Sequence, residues 1–198
     1  MIKDRDYTIG FVIGVCIALL LIPVLYATNF FFPVVVPLEI AFFAIIIPFG
    51  LWWGAVLQEA FGIGARFSRY VASGLLSFSI DFGILNIISL ITGITAGAAV
   101  GWINAPGFLF ALVNAYIWNK LWVFERPTGS HWHHFPRFLL VVGIGIAINT
   151  VIVVWLTSAP LPPQFSPSQW LNTAKIIATG IAILWNFFGY RFFVFREL

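Results

Sequence analysis

The sequence predicts an all-α polytopic membrane protein with about six transmembrane helices, four of them forming a domain of two parallel two-helix repeats. Three observations predict it. The chain is 61% hydrophobic and 9% charged over 198 residues, with a mean hydropathy of +1.01. No soluble domain of that length could bury so much apolar surface. Six apolar segments each approach the roughly 20 residues needed to cross the hydrocarbon core. The basic residues gather at one set of helix ends.

The elements follow in order. "MIKDRDYTIG" runs into an apolar segment at about 8–28 with no A-x-A-type cleavage site, so it reads as a retained membrane helix and not a signal peptide. Pro33 and Pro37 separate this span from a second at about 38–58. Glu39 and Glu59 mark the opposite ends of the second span, and Pro48 between them is placed to kink it. The third and fourth spans, about 70–91 and 102–122, are joined by "TGITAGAAVG". The fifth and sixth, about 138–158 and 172–193, are joined by "APLPPQFSPSQ"; both connections are rich in turn-forming residues. The first two spans form an N-terminal pair, 1–65, with no function legible beyond anchoring, packing or covering a face of the rest.

Six crossings put both termini on one side. That side holds Lys3, Arg5, Arg66, Arg69, Lys120, Arg126, Arg137, Arg191 and Arg196, and the other keeps only Lys175. Such asymmetry predicts cytoplasmic termini and a cytoplasmic 124–137 linker, in the cell membrane. Cys16 is the lone cysteine, so neither an internal disulfide nor a cysteine metal cage can form. A net charge of +3 is too small to expect nucleic acid as a partner.

The chain repeats itself over 66–198. "RYVASGLLSFSID" (69–81) lies over "RFLLVVGIGIAIN" (137–149), which sets Arg69 on Arg137 and Asp81 on Asn149. "NKLWVF" (119–124) lies over "YRFFVF" (190–195). The repeats, about 66–124 and 137–198, contain two helices each and so share an orientation, with an axis along the membrane normal. Asp81 follows Arg69 by twelve residues, about 18 Å along a helix, and Asn149 follows Arg137 by the same interval. A carboxylate at that depth costs at least a few kcal/mol. Tyr70, Ser73, Ser77 and Asp81 fall within a stripe of about 80° on the helix. That stripe suits a path for a hydroxylated head group; it equally suits a clamp, with a protonated Asp81 bonded to Asn149 or a serine.

An arginine–aromatic pair, a glycine-bearing apolar helix with a polar residue twelve on, and the exits "NAYIWNKLWVF" and "NFFGYRFFVF" together resemble the GtrA-like family over roughly 66–198. In the first exit Ala115 takes the leading Asn position and Lys120 replaces Arg; in the second, Tyr190 replaces the inner Asn. The resemblance implies a membrane protein of cell-surface polysaccharide synthesis that flips a polyprenyl-phosphate-linked sugar. It equally allows a non-transporting partner that recruits or stabilises a glycosyltransferase.

Arg69, Lys120, Arg137 and Arg191 could ring the lipid phosphate, with Asn119, Asn186 and Tyr190 beside them and Asp81 and Asn149 passing the sugar. The competing account of Lys120 and Arg191 is ordinary interfacial snorkelling at helix C-termini. "HWHH" (131–134) lacks the further ligands a metal site needs and reads as a loop cluster. Gly97, Gly101, Gly143 and Gly145 are expected at close helix approaches. No nucleophile–base or carboxylate pair reads as catalytic, so no enzyme and no cofactor is expected. A small multidrug-type exporter would want a membrane glutamate at the centre of the second span, which has none. A narrow four-helix domain is compatible with a homodimer, and the residues do not set the oligomeric state.

Overall fold

The computed structural model describes residues 2–61, 64–123 and 135–189. They form six helices: α1 (Asp4–Ala27), α2 (Val35–Phe61), α3 (Gly64–Thr92), α4 (Ala99–Trp118), α5 (Phe135–Ser158) and α6 (Pro167–Gly189). A π-helical stretch, Asn119–Val123, continues α4. There is no strand among the described residues. All six predicted spans are helices over the described residues, and each starts three to six residues before its apolar run; at α1 and α6 polar residues cap the first turn. At α1, the Asp6 carboxylate accepts the backbone N–H of Lys3 at 2.7 Å while the Asp6 N–H donates to the Lys3 carbonyl. At α6, Ser166 and Gln169 form a reciprocal capping box (2.9 and 3.3 Å) with Pro167 as the first helical residue. At the far end of α3, Gly93 adopts φ +71°, a left-handed stop that costs a glycine nothing.

Five of the helices, α1 to α5, are long and apolar enough to cross a membrane. The sixth, α6, has the length, 23 residues, but carries Gln169, Asn172, Thr173, Lys175 and Thr179. Its polar face is partly turned inward: Asn172 and Lys175 are buried. A helix inside a membrane bundle tolerates such residues where protein, and not lipid, surrounds them. Elsewhere large apolar side chains stand exposed, as lipid solvent requires; Trp102 is 84% exposed and Ile91 79%.

The chain divides into two compact units, one of residues 1–87 with 106–126, the other of 88–105 with 127–198. The first unit is built on α1, α2, most of α3 and the C-terminal part of α4. Its core joins Ile13 and Ile17 of α1, Ile47 and Leu51 of α2, Ala72 and Leu76 of α3, and Trp122 and Val123 of the π-helical stretch. Glycines let backbones touch here. A Cβ on Gly14 would collide with the carbonyl of Phe43 in α2, and one on Gly83 with the carbonyl of Leu20 in α1. Gly14→Ala is therefore expected to push α1 off α2 at a cost of about 1–3 kcal/mol. Gly74→Ala meets nothing within 4 Å and is expected to be neutral or slightly stabilising, since alanine is the better helix former. Thermal melts of both variants in one detergent check the contrast.

In the second unit α5 and α6 pack as an antiparallel pair tied at both ends by tryptophan. Trp185 Nε1 donates to the Val141 carbonyl and Trp170 Nε1 to the Leu156 carbonyl, each at 3.0 Å. Leu171, Ala174, Ala178 and Ala182 make the buried face of α6, spaced three and four residues apart. The glycines expected at close approaches divide. The Asn186 amide packs 2.7 Å from where a Gly145 Cβ would sit, and Gly101 is in ordinary contact with Thr150 and Val154. Gly143 faces open space and Gly97 is a turn residue with φ +78°. Gly143 and Gly97 were expected at helix contacts and are not there; helical spacing alone does not say which face a neighbour covers.

Candidate functional site

In the first unit a polar line runs down α3. Ser73 donates to the Tyr70 carbonyl, Ser77 donates to the Ser73 carbonyl at 3.0 Å, and Asn114 of α4 reaches across to the Ser77 hydroxyl at 2.9 Å. One turn further, Asp81 is 6% exposed. Gly107 of α4 packs directly over it: a Cβ there would lie 2.6 Å from the Asp81 carbonyl and 2.8 Å from its carboxylate. The aspartate thus sits seventeen residues into α3, about 25 Å from its start, with only glycine small enough to cover it.

Arg69, near the start of α3, meets a carboxylate of its own chain. Its guanidinium bonds Asp6 Oδ2 at 2.7 Å and the Trp122 carbonyl at 3.3 Å. Trp122 Nε1 donates to Asp6 Oδ1 at 2.7 Å. The Asp6 carboxylate therefore collects three donors, from Lys3, Arg69 and Trp122, with both ion-pair partners buried (side chains 0% and 5% exposed). Satisfied in this way, a buried charge pair can be held inside a protein. It joins α1, the start of α3 and the π-helical end of α4.

The second unit holds a larger polar cluster. Lys175 Nζ donates to Asn104 Oδ1 at 2.6 Å and to Asn149 Oδ1 at 3.3 Å. Asn104 Nδ2 donates to Asn149 Oδ1 (3.2 Å) and Thr150 Oγ1 (3.1 Å), and Asn149 Nδ2 to Thr179 Oγ1 (3.2 Å). Asn104 and Lys175 are fully buried and Asn149 nearly so. Lys175 was counted as the one charge left at the opposite membrane surface. It lies instead inside the unit, eight residues and about 12 Å into α6.

The remaining expected site residues fall as follows. Lys120 is exposed, its ammonium 5.8 Å from the Tyr116 ring centre. Asn119 and Asn186 are each partly buried, and the Oδ1 atom of each is buried without a hydrogen-bond partner among the described residues. Arg137 lies in the first turn of α5. Tyr190, Arg191 and the "HWHH" stretch lie outside the described residues. Sequence reasoning missed Asp6, Trp122, Asn104 and Lys175. For Lys175 a signal existed: it shares the helical face of Leu171, Ala178 and Ala182, the small-residue face that packs. For Asp6 there was none, since Arg69 stands 63 residues away.

Residues 69–195, more than half of the chain, match the family model described as GtrA/DPMS, transmembrane domain. The chain belongs to this family. No solved structure matches it. Membership makes the chain an integral membrane protein of sugar-lipid handling in glycan synthesis. The GtrA/DPMS match takes in Asp81, the Ser77–Asn114 contact, the π-helical exit and the whole Lys175 cluster, and begins at Arg69. Asp6, which holds Arg69, precedes it.

Proposed function

We propose that this GtrA/DPMS protein carries a polyprenyl-phosphate-linked sugar across the membrane for cell-surface glycan synthesis. The observation that carries the reading is the polar line of Ser73, Ser77, Asn114 and Asp81 inside membrane-length helices of the family-matched segment. Polar side chains at this depth are costly and mark pathways more often than ornament. Hydroxyl, amide and carboxylate groups are the partners a sugar's hydroxyls need. The exposed Lys120, with Arg137 and Arg191, takes the phosphate on the face that the charge asymmetry marks as cytoplasmic. Arg69 is a positioning residue in this reading: bound to Asp6, it holds the π-helical segment that presents Lys120.

Proteoliposomes loaded with a polyprenyl-phosphate hexose, probed with a membrane-impermeant reagent, test it. Wild type is expected to accelerate exposure of the sugar over empty vesicles. Asp81→Asn, and Lys120→Ala with Arg191→Ala, are expected to slow it about tenfold or more, the effect of losing one or two charge-assisted hydrogen bonds. No acceleration by correctly folded wild type, across several sugars, would overturn translocation in favour of a partner that recruits a glycosyltransferase.

A further inference from the structure

A cavity of about 380 Å³ lies between α2 and α3, wholly inside the first unit. Its walls include Ile46, Gly50 and Trp53 of α2 and Phe67, Val71 and Leu75 of α3. Both helices are long and apolar enough to cross a membrane, so the medium around them is hydrocarbon. Trp53 and Phe67 are more than half exposed, and the cavity opens between such side chains toward lipid. Ser68, the one polar side chain in the wall, donates its hydroxyl proton to the Ala65 carbonyl at 3.2 Å. Nothing in the cavity asks for a polar ligand.

Three glycines shape it, in two ways. Gly54 and Gly64 bring the backbones together and close one end. A Cβ on Gly64 would strike the Gly54 carbonyl, and one on Gly54 the Ser68 hydroxyl. Gly50, one turn away, is the opposite case, since a Cβ there would meet nothing within 4 Å. Glycine is a poor helix former, and here no close neighbour requires it. What its missing side chain does is give the cavity depth.

Size selects the occupant. The cavity runs beside residues 42–57 of α2, a rise of about 22 Å. A second helix of that length, about 10–12 Å across, would need several times the volume. An apolar cavity of about 150 Å³ holds one benzene, so this one has room for about fifteen carbons, the size of one lipid tail. The face then selects the lipid. At about 100° per residue, Val71, Ala72 and Leu75 lie on the side of α3 opposite Ser73, Ser77 and Asp81. A cargo lipid whose sugar meets that polar line would have to wrap round α3 to place its own chain here.

We propose that α2 and α3 hold one acyl chain of a bilayer lipid, as a wedge between the N-terminal helical pair and the start of the family-matched segment. The site stands apart from the translocation reading and survives its failure.

The test reconstitutes the full-length protein in phosphatidylcholine vesicles doped with a phosphatidylcholine carrying a diazirine on its acyl chain. Labelled peptides are mapped by mass spectrometry after illumination. Label is expected to be enriched severalfold at 46–57 and 67–75 over exposed segments such as those around Trp102 and Trp155. Gly50→Leu, which grows a side chain into the cavity, is expected to melt no lower than wild type and to remove the enrichment. Gly74→Leu, at a glycine equally open but outside the wall, is expected to keep it. Even labelling of all lipid-facing helices in wild type would overturn the site whatever the variants do. So would enrichment that Gly50→Leu leaves unchanged, or a leucine variant melting well below wild type, since the cavity has room for that side chain. Farnesyl phosphate clearing the label at concentrations where added phosphatidylcholine does not would overturn the acyl assignment and give the cavity to an isoprenoid chain.

Discussion

Asp6→Ala is expected to lower the unfolding free energy of the detergent-solubilised protein by about 3–5 kcal/mol, the usual cost of orphaning one partner of a buried ion pair. Three donors lose their acceptor at once: the Arg69 guanidinium, the Trp122 indole N–H and the Lys3 backbone N–H. Both side chains of the pair are out of solvent, so water cannot replace the carboxylate. Asp6→Ala combined with Arg69→Met is expected to recover a good part of the loss, because a buried pair replaced by apolar groups can be neutral or better. Denaturant titration followed by tryptophan fluorescence reads both. A cost below about 1 kcal/mol for the single variant, the level of a surface ion pair, would mean that this network is wet and not a tie. The same tie bears on the role of residues 1–65. By gripping Arg69 and Trp122 from outside the family-matched segment, α1 is tied to the start of α3 and to the π-helical stretch that continues α4.

Lys175→Met is expected to cost about 1–3 kcal/mol, although it replaces a buried cation by a hydrophobic side chain of similar length. The reason is the asymmetry between an absent bond and an orphaned one. Among the described residues Asn104 Oδ1 accepts from Lys175 and from no other group, so the substitution leaves a buried oxygen unbonded. Asn149 Oδ1 keeps the Asn104 donor and suffers less. Replacing the three together, Lys175→Met with Asn104→Leu and Asn149→Leu, is expected to return most of the stability, because no buried polar atom of the three is then left unbonded. Thermal melts compare the single and triple variants. A single variant as stable as wild type would show that the lysine is not bonded as described.

Much of the fold was legible because lipid imposes a simple rule: a membrane segment must be apolar over about 20 residues. Six apolar runs led to six helices, and the Gly/Pro-rich breaks fell between them. The helix starts were less legible, since they are capped by polar residues such as Asp6 and Ser166 that an apolar-run search stops short of. The family-like motifs likewise read directly, and the match over 69–195 agrees with them. Asp81 could be picked out because a charge in the middle of a span is conspicuous. Lys175 was just as visible, but it lay close enough to a helix start to pass for a surface charge.

Hydropathy along one chain thus determined by itself that this is a helical membrane protein and how many helices the described residues form, and the motifs determined which segment carries the family pattern. These depend on local composition against a uniform solvent. Tertiary structure alone decided which polar groups meet. It brought Asp6 to Arg69 across 63 residues, Asn114 to Ser77 across 37, and Lys175 to Asn104 across 71. Such partners are chosen by the rotation of each helix about its axis and by where glycines let backbones close. Neither is written in the apolar pattern, because a span facing lipid on most sides is apolar nearly all round.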